Sequence, residues 1–265
     1  MAVLLYTSGT EGRPRGAMLS HQALLANHEQ VERIQPRVVG PADTVLLALP
    51  LFHAYGLNSV LGAVVHHGAT GVLLDETGPT AGLDEIARHR VTVLVGVPSM
   101  FLTWAGAATA RAATASVRVA ICGAAPLEPA VAARFAEVTG HRVHIGYGLT
   151  ETAPVLTSTL VGGVAKAGSI GRQLPGVRLR LVDPDGADLW RDGVAVPDDD
   201  PDELDISDVA PGTDPGRSWW PGPISSPVTG RTVGAARTPT AGGAPVTSPT
   251  RTRTVTCSWS TGSAS

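Results

Sequence analysis

Cysteine is scarce in this chain of 265 residues: Cys122 and Cys257 are the only two, too few for the disulfide framework of a small secreted domain. No apolar run approaches the length of a membrane span, and the apolar start "MAVLLY" has neither the basic flank nor the length of a signal peptide. The sequence therefore predicts no membrane span and a cytoplasmic protein. An excess of charge of one sign is also missing, with a net charge of -3 and a pI near 6.2. Nothing in that balance attracts nucleic acid or an anionic membrane over the whole surface. What the chain does have is 43% hydrophobic residues, enough for one large domain or two modest ones with a real core.

Two changes of character divide the chain. Over residues 1–183, short β-branched or leucine-rich runs alternate with helical stretches. This is the pattern of βα units on a mostly parallel sheet with flanking helices, an α/β fold. "AVLLY", "TVLLAL", "TGVLL", "VTVLVG", "VRVAICG" and "HRVHIGY" read as strands. "SHQALLANHEQVERI" and "LEPAVAARFAEVTG" read as amphipathic helices, the first entered through Ser20 as N-cap and the second closed by Gly140. Residues 184–216 hold the end of an exposed strand and turn, "VRLRLVDPDGADL", and the acidic linker "DDDPDELDISD".

Residues 217–265 contain no acidic side chain but five arginines and three of the five tryptophans, among Thr, Ser, Pro, Gly and Ala. No helix or strand period is present, and the composition predicts a disordered tail. One explanation is an RNA contact through arginine and tryptophan. The other is a one-base change of reading frame near Arg217. Re-read in the shifted frame, the codons permit "VVAGPNLFSGYWPD", "DGWWRTGD" and "DGDLFLVDRLRE" in that order, peptides of folded character. The shifted frame is favoured, and no nucleic-acid partner is expected.

The stretch "YTSGTEGRPRG", residues 6–16, sets glycines and hydroxyls between a predicted strand and a predicted helix. Unhindered backbone N–H groups, hydroxyls and arginines suit a polyphosphate, although an ordinary flexible loop has a similar composition. The spacing is not that of a Walker loop, which needs Gly-Lys-Ser or Gly-Lys-Thr at the helix. Downstream, "GYGLTETAP" puts Tyr147 after a strand, followed by Thr150 and Glu151. Such a turn can stack a purine on the ring and bring one hydroxyl and one carboxylate to Mg²⁺ on a phosphate. Taken singly, Glu151 is also an ordinary helix-start acid.

Together with "PLFHAYGL", "GAAPL" and "GSIGRQLPG", these stretches resemble, in order and spacing, the core motifs of AMP-forming adenylating enzymes, in particular acyl-CoA synthetases. The likeness covers residues 3–182. The re-read tail adds "GYW", "DGWWRTGD" and "VDRLRE" of the same family. The resemblance implies that a carboxylate attacks the α-phosphorus of ATP, and that a thiol, usually coenzyme A, then takes the acyl group from acyl-AMP. It implies that Thr7, Ser8, Gly9, Thr10, Gly12 and Arg15 form the phosphate loop. It further implies that Gly123, Ala124 and Ala125 line the adenine, that Tyr147 beside Gly148 stacks on it, and that Thr150 touches the α-phosphate. Glu151, with Thr10, would bind Mg²⁺, making Thr150 and Glu151 the catalytic pair. His53 corresponds to a residue that borders and gates the acyl pocket, and Met100 and Phe101 would line that pocket. A helix-capping histidine and two core side chains are the plain alternatives for these three. The implied ligands are ATP or AMP, Mg²⁺ and coenzyme A, and the implied substrate is a fatty or similar aliphatic acid. An acyl carrier protein in place of coenzyme A, or a module that holds ATP or AMP without turnover, are the alternatives.

The chain also departs from the family pattern. Glu11 replaces a hydroxyl residue in the loop, and Arg15 replaces a lysine, keeping charge but changing reach and geometry. The loop lies so near Met1 that a truncated N-terminus is expected. Thr247 stands where "RTGD" has its ribose-binding aspartate, and Thr261 and Gly262 stand at the "DR" hinge. The mobile C-terminal domain that switches half-reactions, with its catalytic lysine, has no counterpart. The expectation is a partial nucleotide-binding core with little or no complete ligase activity.

Overall fold

The computed structural model describes residues 1–7, 14–74, 81–162, 165–182, 188–191, 194–195 and 254–258. It falls into two units, Met1–Gly176 and Val177–Ser265.

The first unit opens with a hairpin, β1 (Val3–Thr7) paired antiparallel with β2 (Arg15–Leu19), Thr7 opposite Arg15. Here the fold departs from the expected strand–loop–helix order. Ala17 and Leu19 are buried while Arg15, Gly16 and Met18 are exposed, a period of two that makes a strand. The glycine-rich stretch thus joins two strands, and the helix α1 (His21–Glu32) begins only after β2. Ser20 caps it as expected, its hydroxyl accepting from Ala23 N at 3.0 Å.

Next come β3 (Thr44–Leu47), a π-helical stretch Tyr55–Gly62 running directly into α2 (Ala63–His67), β4 (Thr70–Leu73), α3 (Ala81–Arg88) and β5 (Val93–Gly96). They are followed by α4 (Pro98–Ala105), α5 (Ala110–Ala113), β6 (Val119–Cys122), α6 (Pro129–Thr139) and β7 (Val143–Gly148). A short 3₁₀ turn, Thr150–Thr152, precedes β8 (Val155–Ser158) and β9 (Arg172–Gln173). Gly140 ends α6 in the left-handed region, φ 84°, as expected.

One seven-stranded sheet carries the unit, in the order β4-β3-β5-β6-β7-β8-β9. β4 through β7 are parallel, and β8 and β9 are added antiparallel. Its core packs Leu46, Leu83, Ile86, Leu94, Phe101, Trp104 and Phe135, all essentially buried. Phe101 meets Trp104 and Phe135 edge to face, with centroids 5.6 and 5.1 Å apart. Each such side chain contributes about 1.5–3 kcal/mol on burial.

At the N-terminal ends of the parallel strands, Asp43 binds three segments together. It accepts from Arg118 Nε at 2.8 Å, Thr92 Oγ1 at 2.7 Å and Gly40 N at 2.8 Å. These residues precede β6, β5 and β3, so the pairing fixes that edge and leaves the C-terminal edge for ligands, where open α/β sheets bind them.

In the second unit, β10 (Arg178–Val182) and β11 (Asp188–Arg191) pair antiparallel; the turn expected in "VRLRLVDPDGADL" lies outside the described residues. β12 (Val194–Ala195) and β13 (Thr254–Ser258) complete the order β12-β11-β10-β13. β13, "TVTCS", pairs with β10, Leu179 opposite Cys257, and its β-branched residues suit a strand. The other residues of 217–265 lie outside the described residues.

Candidate functional site

A cavity of about 630 Å³ opens at the C-terminal ends of β5, β6 and β7, lined there by Val95, Ile121 and Gly146. One wall comes from the helical stretch 55–67. Tyr55, Ser59, Ala63 and His67 all line it, and a spacing of four keeps them on one face of a helix. Gly56 permits the approach of this stretch, because a Cβ there would collide with the Pro50 carbonyl. Asn27, His28, Val31 and Ile34 add lining from α1 and its end.

The turn after β7 forms the rim. β7 and β8 change register between Tyr147 and Gly148, a bulge of the kind that re-aims side chains beside active sites. Leu149 N donates to Pro154 O at 3.0 Å and to Thr152 Oγ1 at 3.1 Å. Asn27 holds the next residue, its Nδ2 donating to Val155 O at 2.8 Å. This turn sets Tyr147, Gly148, Leu149 and Thr150 along the cavity, while Glu151 beside them is exposed. β2 packs against the same Thr150–Thr152 turn, bringing the second strand of the hairpin next to residues more than a hundred positions away in sequence.

The sequence-predicted residues divide accordingly. His53, Met100, Ala124, Tyr147, Gly148 and Thr150 line the cavity. Ala124 has a left-handed φ of 67°, and Ala125 is exposed outside the lining. Gly123 lies beneath: a Cβ there would come within 2.9 Å of the Tyr55 ring carbon and hydroxyl and 3.1 Å of Gly146 O, so the close approach requires glycine. Phe101 corrects the expected acyl-pocket set, since its ring is fully buried in the core with Trp104 and Phe135, whereas Met100 beside it reaches the cavity. Thr7 and Arg15 face one another across the hairpin, with Thr7 Oγ1 donating to Arg15 O at 3.5 Å. Ser8, Gly9, Thr10, Glu11 and Gly12 lie outside the described residues, as do Thr247, Thr261 and Gly262.

Three contributors went unmarked in the sequence. The hydroxyls of Tyr55 and Ser59 are buried with no hydrogen-bond partner among the described residues. Burial raises the pKa of the Tyr55 hydroxyl, with Cys122 adding to the shift, so it stays a neutral donor and acceptor. His28 is the third. Burial pulls its pKa down to about 4, the Asn58 hydrogen bond opposing and His66 and His67 adding to the effect. Asn58 Nδ2 donates to Leu24 O at 3.1 Å and Ala153 O at 2.7 Å, which fixes its Oδ1 as acceptor. The neutral His28 ring therefore carries its proton on Nε2, 3.0 Å from that oxygen. Tyr55 stood inside "PLFHAYGL"; a polar residue one helical turn on from it, Ser59, was the available signal.

Among the described residues, the lining carries no aspartate, glutamate, lysine or arginine. It is an apolar chamber with neutral polar groups at chosen points, suited to an uncharged body with a polar end.

Comparison with known proteins finds one matching family and related sequences and structures. The family described as AMP-binding enzyme matches residues 1–195. A long-chain-fatty-acid–CoA ligase of Bacillus subtilis is 33% identical over 190 residues, covering 71% of this chain and 34% of that protein. A 4-coumarate–CoA ligase 3 of Oryza sativa is 36% identical over 200 residues, covering 72% and 36%. Among solved structures, ATP-bound MatB from Rhodopseudomonas palustris superposes with a TM-score of 0.65 at 35% identity, covering 71% of this chain and 37% of that one. The chain spans about a third of the length of the curated relatives it matches.

Proposed function

Because this chain belongs to the AMP-binding enzyme family, we propose that its first unit forms the acid and nucleotide walls of an ATP-dependent acid–thiol ligase. The carrying observation is convergence: Ala124 after β6, Tyr147 to Thr150 from the end of β7 into the turn that follows it, and His53 and Met100 from two further segments all line one cavity.

In this reading a carboxylate oxygen of the substrate attacks the α-phosphorus of ATP, pyrophosphate leaves, and a thiol sulfur later attacks the acyl carbon as AMP departs. The contribution of the protein is position and charge complementarity. Tyr147 stacks the adenine, Ala124 and the Gly123 cradle admit its edge, and Thr150 donates to the α-phosphate. Glu151, an exposed carboxylate next to Thr150, is a fitting oxygen donor for Mg²⁺, which would neutralise phosphate charge when bound. Arg15 and the connection 8–14, with Thr7, Ser8, Gly9, Thr10 and Gly12, supply the phosphate contacts. His53 borders the acid. Coenzyme A is the thiol acceptor in this reading.

The apolar lining supports an acid with an apolar body, as expected of a fatty acyl chain. The two hydroxyls without a partner among the described residues favour a more specific substrate, an acid that also carries a polar group to meet Tyr55 and Ser59. A buried hydroxyl left unmet costs about 1–3 kcal/mol, and a ligand oxygen at that place offsets it.

ATP–pyrophosphate exchange by the purified chain, over a panel of aliphatic and hydroxylated aryl acids, tests both parts. Saturable ATP binding in calorimetry, with weak exchange that is greatest for hydroxylated acids, is the expected result. No ATP binding overturns the reading, robust exchange overturns the partial-core expectation, and a preference for plain alkanoates overturns the polar-group assignment. Binding of ATP with no exchange for any acid would instead support a module without turnover.

A further inference from the structure

Two histidines and a carboxylate converge where the cavity-lining helix ends. His66 and His67 close α2, and Glu32 closes α1. One donor atom of each lies within 4.8 Å of the other two, and His66 Nε2 is 3.7 Å from Glu32 Oε2. Consecutive helical residues do not ordinarily face each other. Here the two rings touch edge to face, centroids 4.7 Å apart, and both bring a nitrogen to the same carboxylate.

The His66–Glu32 spacing is near that of a tetrahedral ion, and the other two donor pairs, within 4.8 Å, would draw in by up to about 1.5 Å on binding. Bonds of about 2.0–2.2 Å set donors roughly 3.3–3.5 Å apart across a tetrahedron, so the His66–Glu32 pair needs to close by only a few tenths of an ångström. The surroundings hold the donors in place. His28 stacks on His66 at 5.0 Å with ring planes 13° apart. Arg37 Nη2 engages Glu32 Oε1 at 2.9 Å, leaving Oε2 to the histidines, as outer partners of metal ligands do. The end of a helix is also the negative end of its dipole.

We propose that His66, His67 and Glu32 bind one transition-metal dication of the zinc class, at the wall of the cavity that His67 lines. Two imidazoles and one carboxylate suit Zn²⁺ or Co²⁺; Mg²⁺ demands near-octahedral oxygen ligation and keeps most of its waters. The site is therefore separate from the one assigned to Glu151 and does not rest on the ligase reading. Three protein donors leave a fourth position for water, and the ion ties the end of α1 to the end of α2.

Titration of the chelator-treated 265-residue chain with Co²⁺ tests the proposal. One equivalent binds with the visible absorption of a tetrahedral centre, Zn²⁺ displaces it, and excess Mg²⁺ does not. Saturating Zn²⁺ raises Tm by a few degrees, as binding to the native state alone requires. His66→Gln and Glu32→Gln each weaken Co²⁺ binding at least about tenfold. His89→Gln, which removes the separate Glu85–His89 pair, leaves it unchanged. Lack of saturable binding by the unaltered chain overturns the proposal without recourse to any variant. Undiminished binding by folded His66→Gln and Glu32→Gln chains overturns it equally. None of these readings involves ATP, so failure here is distinguishable from failure of the proposed ligase chemistry.

Discussion

Tyr55 holds a polar atom in a place that supports it poorly. Its hydroxyl is buried without a partner among the described residues, beside Gly123. Removing the hydroxyl while keeping the ring should raise stability, because the desolvated group no longer has to be accommodated. Tyr55→Phe is expected to gain about 1 kcal/mol in urea unfolding and to lose selectivity for acids with a polar group in pyrophosphate exchange. A loss of stability would mean that the hydroxyl is satisfied in the native state. Phe101 and Met100, adjacent in sequence, illustrate why site residues are hard to assign from sequence. Their helix turns one side chain into the aromatic core and the other into the cavity, and only the packing of α4 against α6 decides which.

At the scale of elements, the Asp43–Arg118 pairing secures the starts of β3, β5 and β6. Burial alone would raise the Asp43 pKa, but hydrogen bonds from Arg118, Thr92 and Gly40 outweigh it and hold the carboxyl below its usual 3.8. A group depressed on folding stabilises the native state above its unfolded pKa, and that stabilisation is lost as pH falls through the folded value. Arg118→Met should therefore cost about 2 kcal/mol at neutral pH. That is less than for a fully buried pair because the Arg118 side chain is 37% exposed. The difference from the unaltered chain should shrink below pH 3.8. Arg118→Lys should recover little, since one ammonium cannot reproduce the fork that also reaches Arg37 O and Val38 O. Denaturant midpoints across pH measure all three. The parallel strands and the two capped helices were legible because their periods and caps are local properties. The helical stretch 55–67 was not, because "YGLNSVLGAVVHH" places glycine at two positions and lacks a capping residue. Gly56 is there to pass the Pro50 carbonyl and Gly62 to pass His28, demands set by distant neighbours. The hairpin was misplaced for a related reason: β2 is five residues long and follows a glycine-rich connection that also suits a helix entrance.

For the whole molecule, every described residue that lines the cavity belongs to the unit Met1–Gly176. A chain ending at Gly176 should therefore bind ATP within about threefold of the full chain, a difference under 1 kcal/mol, measurable by calorimetry. A much larger loss would place part of the nucleotide site beyond Gly176. The wall built by Tyr55, Ser59, Ala63 and His67 has a further consequence. All four come from one unbroken run, so their identity depends on its length as well as on its letters. Deleting a single residue between Tyr55 and Ser59 would carry Val60, Val64 and Gly68 into the places of Ser59, Ala63 and His67. The chamber would exchange a hydroxyl for aliphatic surface and lose an imidazole in one genetic event. Acid preference in such a fold can diverge through a change of length, without passing through a series of point substitutions.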